Sequence, residues 1–172
     1  MPNDDERELA RCAGAGDVLA FSHLVRAHES ALRSRLRILA GDMADDLAQE
    51  TFMAAWRGAA SWRQQGSYRS WLFSIAWRRF LSYRRAYKAT EPLDAAEEFF
   101  VPPSAGVRTE ISQALGRLGE RERMAALLCF AEGYSHSEAA GVMGVPLGTL
   151  KSLVARARSG LVQCLESEHD CA

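Results

Sequence analysis

The sequence predicts an all-α protein made of two small helical domains joined by a flexible linker. Apolar residues recur at three- and four-residue spacings over most of the 172 residues, and no segment alternates apolar and polar residues as a half-buried strand would. One segment, 89–108, loses periodicity altogether and so divides the chain into 1–88 and 109–172. The length suits one medium domain or two small ones.

From Asp17 to Leu39, the residues Phe21, Leu24, Val25, His28, Leu32, Leu36 and Leu39 form one apolar stripe on a helix, with Asp17 placed to cap it. Gly41 ends that helix and Asp42 is expected to cap the next, which runs from Asp45 to Trp56 with its acids at the dipole-favoured end. Gly66-Ser67 interrupts the pattern. Tyr68 to Tyr87 is helical again, with Leu72, Ile75, Ala76, Phe80 and Tyr83 inward and the arginines outward. In 89–108 the acids Glu91, Asp94, Glu97 and Glu98 surround three prolines and Phe99-Phe100, which reads as an extended linker. Four helical patterns follow, at Glu110–Leu118, Glu120–Ala131, Ser135–Met143 and Leu147–Leu165.

The sequence also excludes several function classes. No apolar run is long enough for a membrane span, and Met1-Pro2-Asn3-Asp4-Asp5 has no signal-peptide character, so a cytoplasmic protein without membrane insertion is expected. Cys12, Cys129, Cys164 and Cys171 are read as free thiols, with Cys129 expected in the core. The histidines do not cluster with cysteines or carboxylates at ligand spacing, and no phosphate loop, GxSxG or HExxH occurs. We therefore expect no enzyme activity, no catalytic residue, no metal and no cofactor.

A net charge of −1 conceals strong segregation. Residues 1–50 carry ten acids and six bases, whereas 51–88 carry eight bases (Arg57, Arg63, Arg69, Arg78, Arg79, Arg84, Arg85 and Lys88) and no acid. Phosphate backbones respond to that local field rather than to the chain's total charge. Ten of the fifteen aromatic residues fall between Phe52 and Tyr87, among these cations. Some belong in the core; Trp62, Tyr68, Trp77 and Tyr87 are read as exposed, where rings stack on bases while the cations hold phosphates. The plain alternative buries them all.

Near the C-terminus, Ser135 and Glu138 fit a capping box, Gly144-Val145-Pro146 makes a tight turn, and the following helix carries Lys151, Arg156 and Arg158. Helix, glycine turn and basic helix together match a helix-turn-helix, whose second helix enters the major groove. The competing reading is an ordinary helical hairpin with a solvated basic face. The acids of Asp45-Asp46-Leu47-Ala48-Gln49-Glu50 are by themselves a dipole-stabilising first turn.

In order, these pieces resemble the extracytoplasmic-function (ECF) sigma factors of RNA polymerase. Asp46-Leu47-Ala48-Gln49-Glu50-Thr51-Phe52 with Ala55-Trp56 is similar to the family's polymerase-gripping helix, which implies docking through Asp46, Gln49, Glu50 and Met53. Tyr68-Arg69-Ser70-Trp71-Leu72-Phe73-Ser74-Ile75-Ala76 and the residues to Arg85 resemble the part of region 2 that opens and reads the minus-ten element. Leu118 to Arg123, Gly133-Tyr134-Ser135, Gly144 to Ser152 and Ala155 to Arg158 resemble region 4, which reads the minus-thirty-five element as duplex. The DNA-binding residues this implies are Arg63, Tyr68, Trp77, Arg78, Arg79, Arg84 and Arg85 in region 2. In region 4 they are Thr149, Lys151, Ser152, Arg156 and Arg158.

The resemblance further implies core RNA polymerase and promoter DNA, both duplex and displaced strand, as partners, and an anti-sigma factor that holds the protein inactive. Three positions depart from the family: Arg78 stands for an asparagine that captures a flipped base, Gly119 for a proline, and Leu153 for an arginine expected to contact phosphate. The rival reading is a conventional helix-turn-helix regulator that acts without polymerase and binds palindromic duplex as a dimer. A third, a module that sequesters another factor, would not need the basic aromatic segment.

Overall fold

The computed structural model describes residues 4–63, 66–90 and 110–169, and among these every regular element is helical. In chain order they are α1 (Asp4–Gly14), α2 (Val18–Ala40), α3 (Ala44–Gly58), α4 (Tyr68–Thr90), α5 (Glu110–Gly116), α6 (Glu120–Ala126), α7 (His136–Met143) and α8 (Leu147–His169). Short 3-10 turns lie at Gly41–Met43 and Ala59–Ser61, and α6 runs on through a π turn at Leu127–Ala131. The predicted linker falls almost wholly outside the described residues, and α4 extends two residues into it, to Thr90.

Local chemistry explains the boundaries. The Asp17 carboxylate accepts the N–H groups of Leu19 at 2.9 Å and Ala20 at 3.1 Å, which caps α2 as the sequence predicts. Gly41 ends α2 at φ 57°, a conformation that disfavours a side chain, and its N–H returns to the Arg37 carbonyl. Asp42 does not cap α3: the chain inserts a 3-10 turn, Met43 takes the cap position, and no side chain serves it. An unforeseen helix, α1, packs Ala10 and Ala13 inward and is pinned to α2 by a 2.6 Å contact from Glu6 Oε1 to His28 Nε2.

The α2 stripe is buried at Leu24, Leu32, Leu36 and Leu39, and α2, α3 and α4 pack on one another with α1 alongside. In the C-terminal half, α8 lies against α5, α6 and α7. The two halves contact one another. Helix α4 packs on α7, and α2 touches α5 and α6, so the buried core is continuous between them.

Arg123 fastens that junction. Its buried guanidinium donates to the carbonyls of Leu115 (2.8 Å), Gly116 (2.7 Å) and Leu118 (2.9 Å) at the end of α5, and to Ile38 of α2 at 3.3 Å. A cation placed on the carbonyls of a helix end complements its dipole. Burial pulls the Arg123 pKa down from its usual range, with Glu120 opposing that shift.

Candidate nucleic-acid and partner interfaces

On α3, Asp46, Gln49, Glu50 and Met53 are all exposed, and their spacing of three, one and three residues places them on one face. Leu47, Ala48, Thr51 and Ala55 hold the opposite face in the core. Asp45 is engaged by Arg33 at 2.5 Å, whereas among the described residues no cation pairs with Asp46 or Glu50. Met53 is 46% exposed beside them. An apolar, flexible side chain next to unneutralised carboxylates suits a partner that brings both cations and an apolar contact.

Helix α4 departs from expectation. Tyr68 and Trp77 are each 2% exposed, so neither ring offers a face to a base in this arrangement. Tyr68 is the hub of an aromatic cluster, with ring centroids 5.6 Å from His28, 5.7 Å from Trp62 and 5.4 Å from Trp71. Burial drives its phenol pKa well up. Trp77 stacks on Phe80 at 5.5 Å. Arg84 is also buried, paired with Glu120 of α6. Of the four rings expected outside, Trp62 is half-buried and Tyr87 alone is exposed.

The reason lies in helical geometry. Tyr68, Leu72, Ile75 and Ala76 form one buried stripe, while Phe73, Trp77, Phe80 and Arg84 form a second beside it; at 100° per residue the two together cover roughly 200° of the helix. The second stripe continues the line of Arg69, and both Arg69 and Arg84 pair with acids of the C-terminal half. A helix packed on both sides leaves a narrow outer face. On it Arg78 and Arg85 are exposed, and Arg79, in line with the first stripe, is exposed where that stripe ends beyond Ala76. Arg63 is exposed in the connection before α4.

Between α3 and α4 an open groove of about 340 Å3 is lined by Gly58, Ser61, Trp71, Ile75, Arg78 and Arg79. Arg78 lies back along its own helix, donating to the Ser74 carbonyl at 3.1 Å and to Ser74 Oγ at 3.4 Å.

The C-terminal motif agrees closely with expectation. Ser135 Oγ accepts the Glu138 N–H at 3.3 Å and the Glu138 carboxylate accepts the Ser135 N–H at 2.9 Å, which completes the capping box of α7. Gly144, at φ 65°, adopts the left-handed turn that releases the chain into α8. Leu150, Leu153, Val154 and Ala157 form the buried stripe of α8, and Thr149, Lys151, Ser152, Arg156 and Arg158 are exposed. Arg156 carries a 2.7 Å pair to Glu122 that ties α8 to α6. Leu153 faces the core, so its position is a packing position rather than a vacated phosphate contact. Gly119 caps α6 and donates its N–H to Glu122 at 3.2 Å, a bond that proline could not make.

Cys129 is half-buried rather than fully in the core, and burial pushes its thiol pKa up. Among the described residues no group of three or more metal-binding side chains occurs, and no described helix is long and apolar enough to cross a membrane. Sequence reasoning missed Arg35, Arg69, Arg123 and Glu132. Glu132, whose side chain is fully buried, receives Arg35 on one carboxylate oxygen and Arg69 on the other. An acid just outside a capped helix gives no sign by spacing alone that it will meet arginines from the other half of the chain.

Comparison with known proteins bears on both halves. A family model described as Sigma-70 region 2 matches residues 24–90, and one described as Sigma-70, region 4 matches residues 108–161. The chain is 36% identical to the ECF RNA polymerase sigma factor SigM of Mycobacterium tuberculosis over 166 residues, covering 93% of this chain and 84% of that one. It is 34% identical over 182 residues to the RNA polymerase sigma factor NccH of Alcaligenes xylosoxydans xylosoxydans, covering 96% and 97%. Among solved structures it is similar to the sigma factor RpoE of Bartonella quintana, crystallised with the anti-sigma factor NepR, at a TM-score of 0.72 and 30% identity over 87% of this chain and 98% of that one. It is likewise similar to CnrH in complex with the cytosolic domain of CnrY, at a TM-score of 0.70 and 26% identity, covering 95% and 98%. With both regions matched in order and relatives aligned over nearly the whole chain, this protein belongs to the ECF sigma factors of RNA polymerase.

Proposed function

We propose that the chain is a transcription initiation factor that joins core RNA polymerase in the cytoplasm and directs it to promoters, without a covalent step of its own. The observation that carries this reading is the separation of surfaces. The α3 face of Asp46, Gln49, Glu50 and Met53 is acidic and unpartnered, while Arg78, Arg79 and Arg85 are exposed on α4 and Lys151, Arg156 and Arg158 on α8. One set of contacts can therefore hold the enzyme while the others hold DNA.

In this reading Arg63, Arg78, Arg79 and Arg85 hold the displaced strand, and the groove beside Trp71 receives an unstacked base. Tyr68 and Trp77 support that surface from beneath, and Arg84 joins the halves. Helix α8 enters the major groove of the upstream element with Thr149, Lys151 and Ser152 leading, and Arg156 and Arg158 follow toward the backbone. We take 1–88 as region 2, 109–172 as region 4 and 89–108 as the linker. An anti-sigma factor of the kind present in the two similar structures would compete for these surfaces.

The test is capture of purified core polymerase by the full chain. Wild-type protein should retain it, and Gln49→Ala with Glu50→Lys should weaken retention at least about tenfold while helicity stays normal. Equal retention by the double variant would remove the α3 assignment.

A further inference from the structure

The junction between the halves presents an anion in a cationic site. Arg35 comes from α2, Arg69 from the first turn of α4, and between them sits the Glu132 carboxylate, with no exposed surface. Each oxygen takes one guanidinium, as the two free oxygens of a phosphodiester would. Arg69 also lies 5.9 Å from the ring centroids of both Phe73 and Tyr134, which fix its position. The arginines are 27% and 39% exposed, so the site opens toward solvent once Glu132 leaves. Farther along α4, Arg84 meets Glu120 in the same manner.

The arrangement conflicts with simultaneous reading of two promoter elements. Elements centred near minus ten and minus thirty-five are roughly 25 base pairs apart, about 85 Å of duplex at 3.4 Å per pair. A compact chain of this length has a radius of gyration of about 16 Å. The halves must part for both elements to be held at once, and parting withdraws Glu132 from Arg35 and Arg69.

We propose that Arg35 and Arg69 form a backbone-phosphate site on region 2, and that Glu132 is its built-in competitor, occupying the site in the free, closed protein. The inference rests on the sigma-factor reading given above. Opening then does two things together: it releases region 4 to its distant element and exposes two cations on the half that holds the displaced strand. The closed protein is self-masked, and DNA phosphate replaces the carboxylate.

The experiment is an anisotropy titration of a fluorescein-labelled single-stranded oligonucleotide with the full chain over a range of salt, paired with small-angle scattering. Glu132→Gln keeps the shape and removes the charge. It should expand the protein, tighten binding several-fold and steepen the salt dependence by about 1.4 in log–log slope, the increment for two added phosphate contacts on a single strand. Adding Arg35→Gln and Arg69→Gln to that variant should abolish the gain. Glu120→Gln supplies a second opening variant should Glu132→Gln fold poorly, and it should expand the protein in the same way. Unchanged affinity and slope in an expanded Glu132→Gln protein, or a gain that persists without both arginines, would overturn the proposal. Capture of core polymerase by the wild-type chain, run in parallel, tests the sigma-factor reading separately: failure there with the masking behaviour intact would strike the function and spare the site.

Discussion

Helices α4 and α8 are each 23 residues long and both present exposed cations, yet they use their sequences differently. Helix α8 buries one narrow stripe, Leu150, Leu153, Val154 and Ala157, and leaves every predicted DNA-facing residue exposed. Helix α4 buries two adjacent stripes and takes with them Tyr68, Trp77 and Arg84, three residues expected on its surface. The contrast teaches that composition indicates function only where a helix has one buried side. Where a second body packs on the helix, aromatic rings and even a guanidinium are drawn inside.

The largest expected effect tests that contrast at Trp77. As a core residue stacked on Phe80, Trp77→Ala should cost about 3–5 kcal/mol in urea unfolding. A loss under about 1 kcal/mol with a marked fall in strand binding would return Trp77 to the DNA surface. Next is the junction that gives α4 its second packed side. Arg123→Met leaves several carbonyls without their donor and should destabilise the chain by about 2–4 kcal/mol, with a falling cooperativity of unfolding as the halves uncouple. A single unchanged transition would show that Arg123 does not couple them.

On α8 the same logic predicts function without stability. Lys151→Ala should lower use of promoters that need the upstream element by about 1–3 kcal/mol if it contacts a base, and should move unfolding by no more than about 0.5 kcal/mol. Equal loss on promoters with and without that element would remove α8 as the reading helix. The smallest effect sits at the entry to the motif, where Ser135→Ala should cost about 1 kcal/mol through loss of the α7 cap, measured by thermal unfolding of the full chain.

Much of this was legible in advance wherever the determinants are local. The Asp17 cap, the Gly41 stop, the Ser135–Glu138 box and the Gly144 turn depend on residues within four positions of one another, and each is where the sequence places it. The α3 face was legible too, since its four residues share a helical side. What could not be read was long-range. The pairing of Arg69 with Glu132 and of Arg84 with Glu120 joins residues far apart in sequence, and no periodicity encodes which acid will meet which arginine. Helix α1 was missed because its charged residues outweigh its small buried alanines, Ala10 and Ala13, which give little hydrophobic signal. Leu153 shows the reverse case, a departure from the family pattern that packing explains without reference to DNA.

The central claim is that polymerase supplies the geometry that the free chain lacks, and a fluorescence titration on promoter DNA tests it most directly. The chain alone should bind weakly, with strong salt sensitivity and little sequence preference. On addition of core polymerase, binding should become tight and promoter-specific, and a base analogue near the minus-ten element should report strand opening. Nanomolar binding of the isolated chain to one duplex site, unchanged by polymerase, would contradict the account and favour a conventional helix-turn-helix regulator.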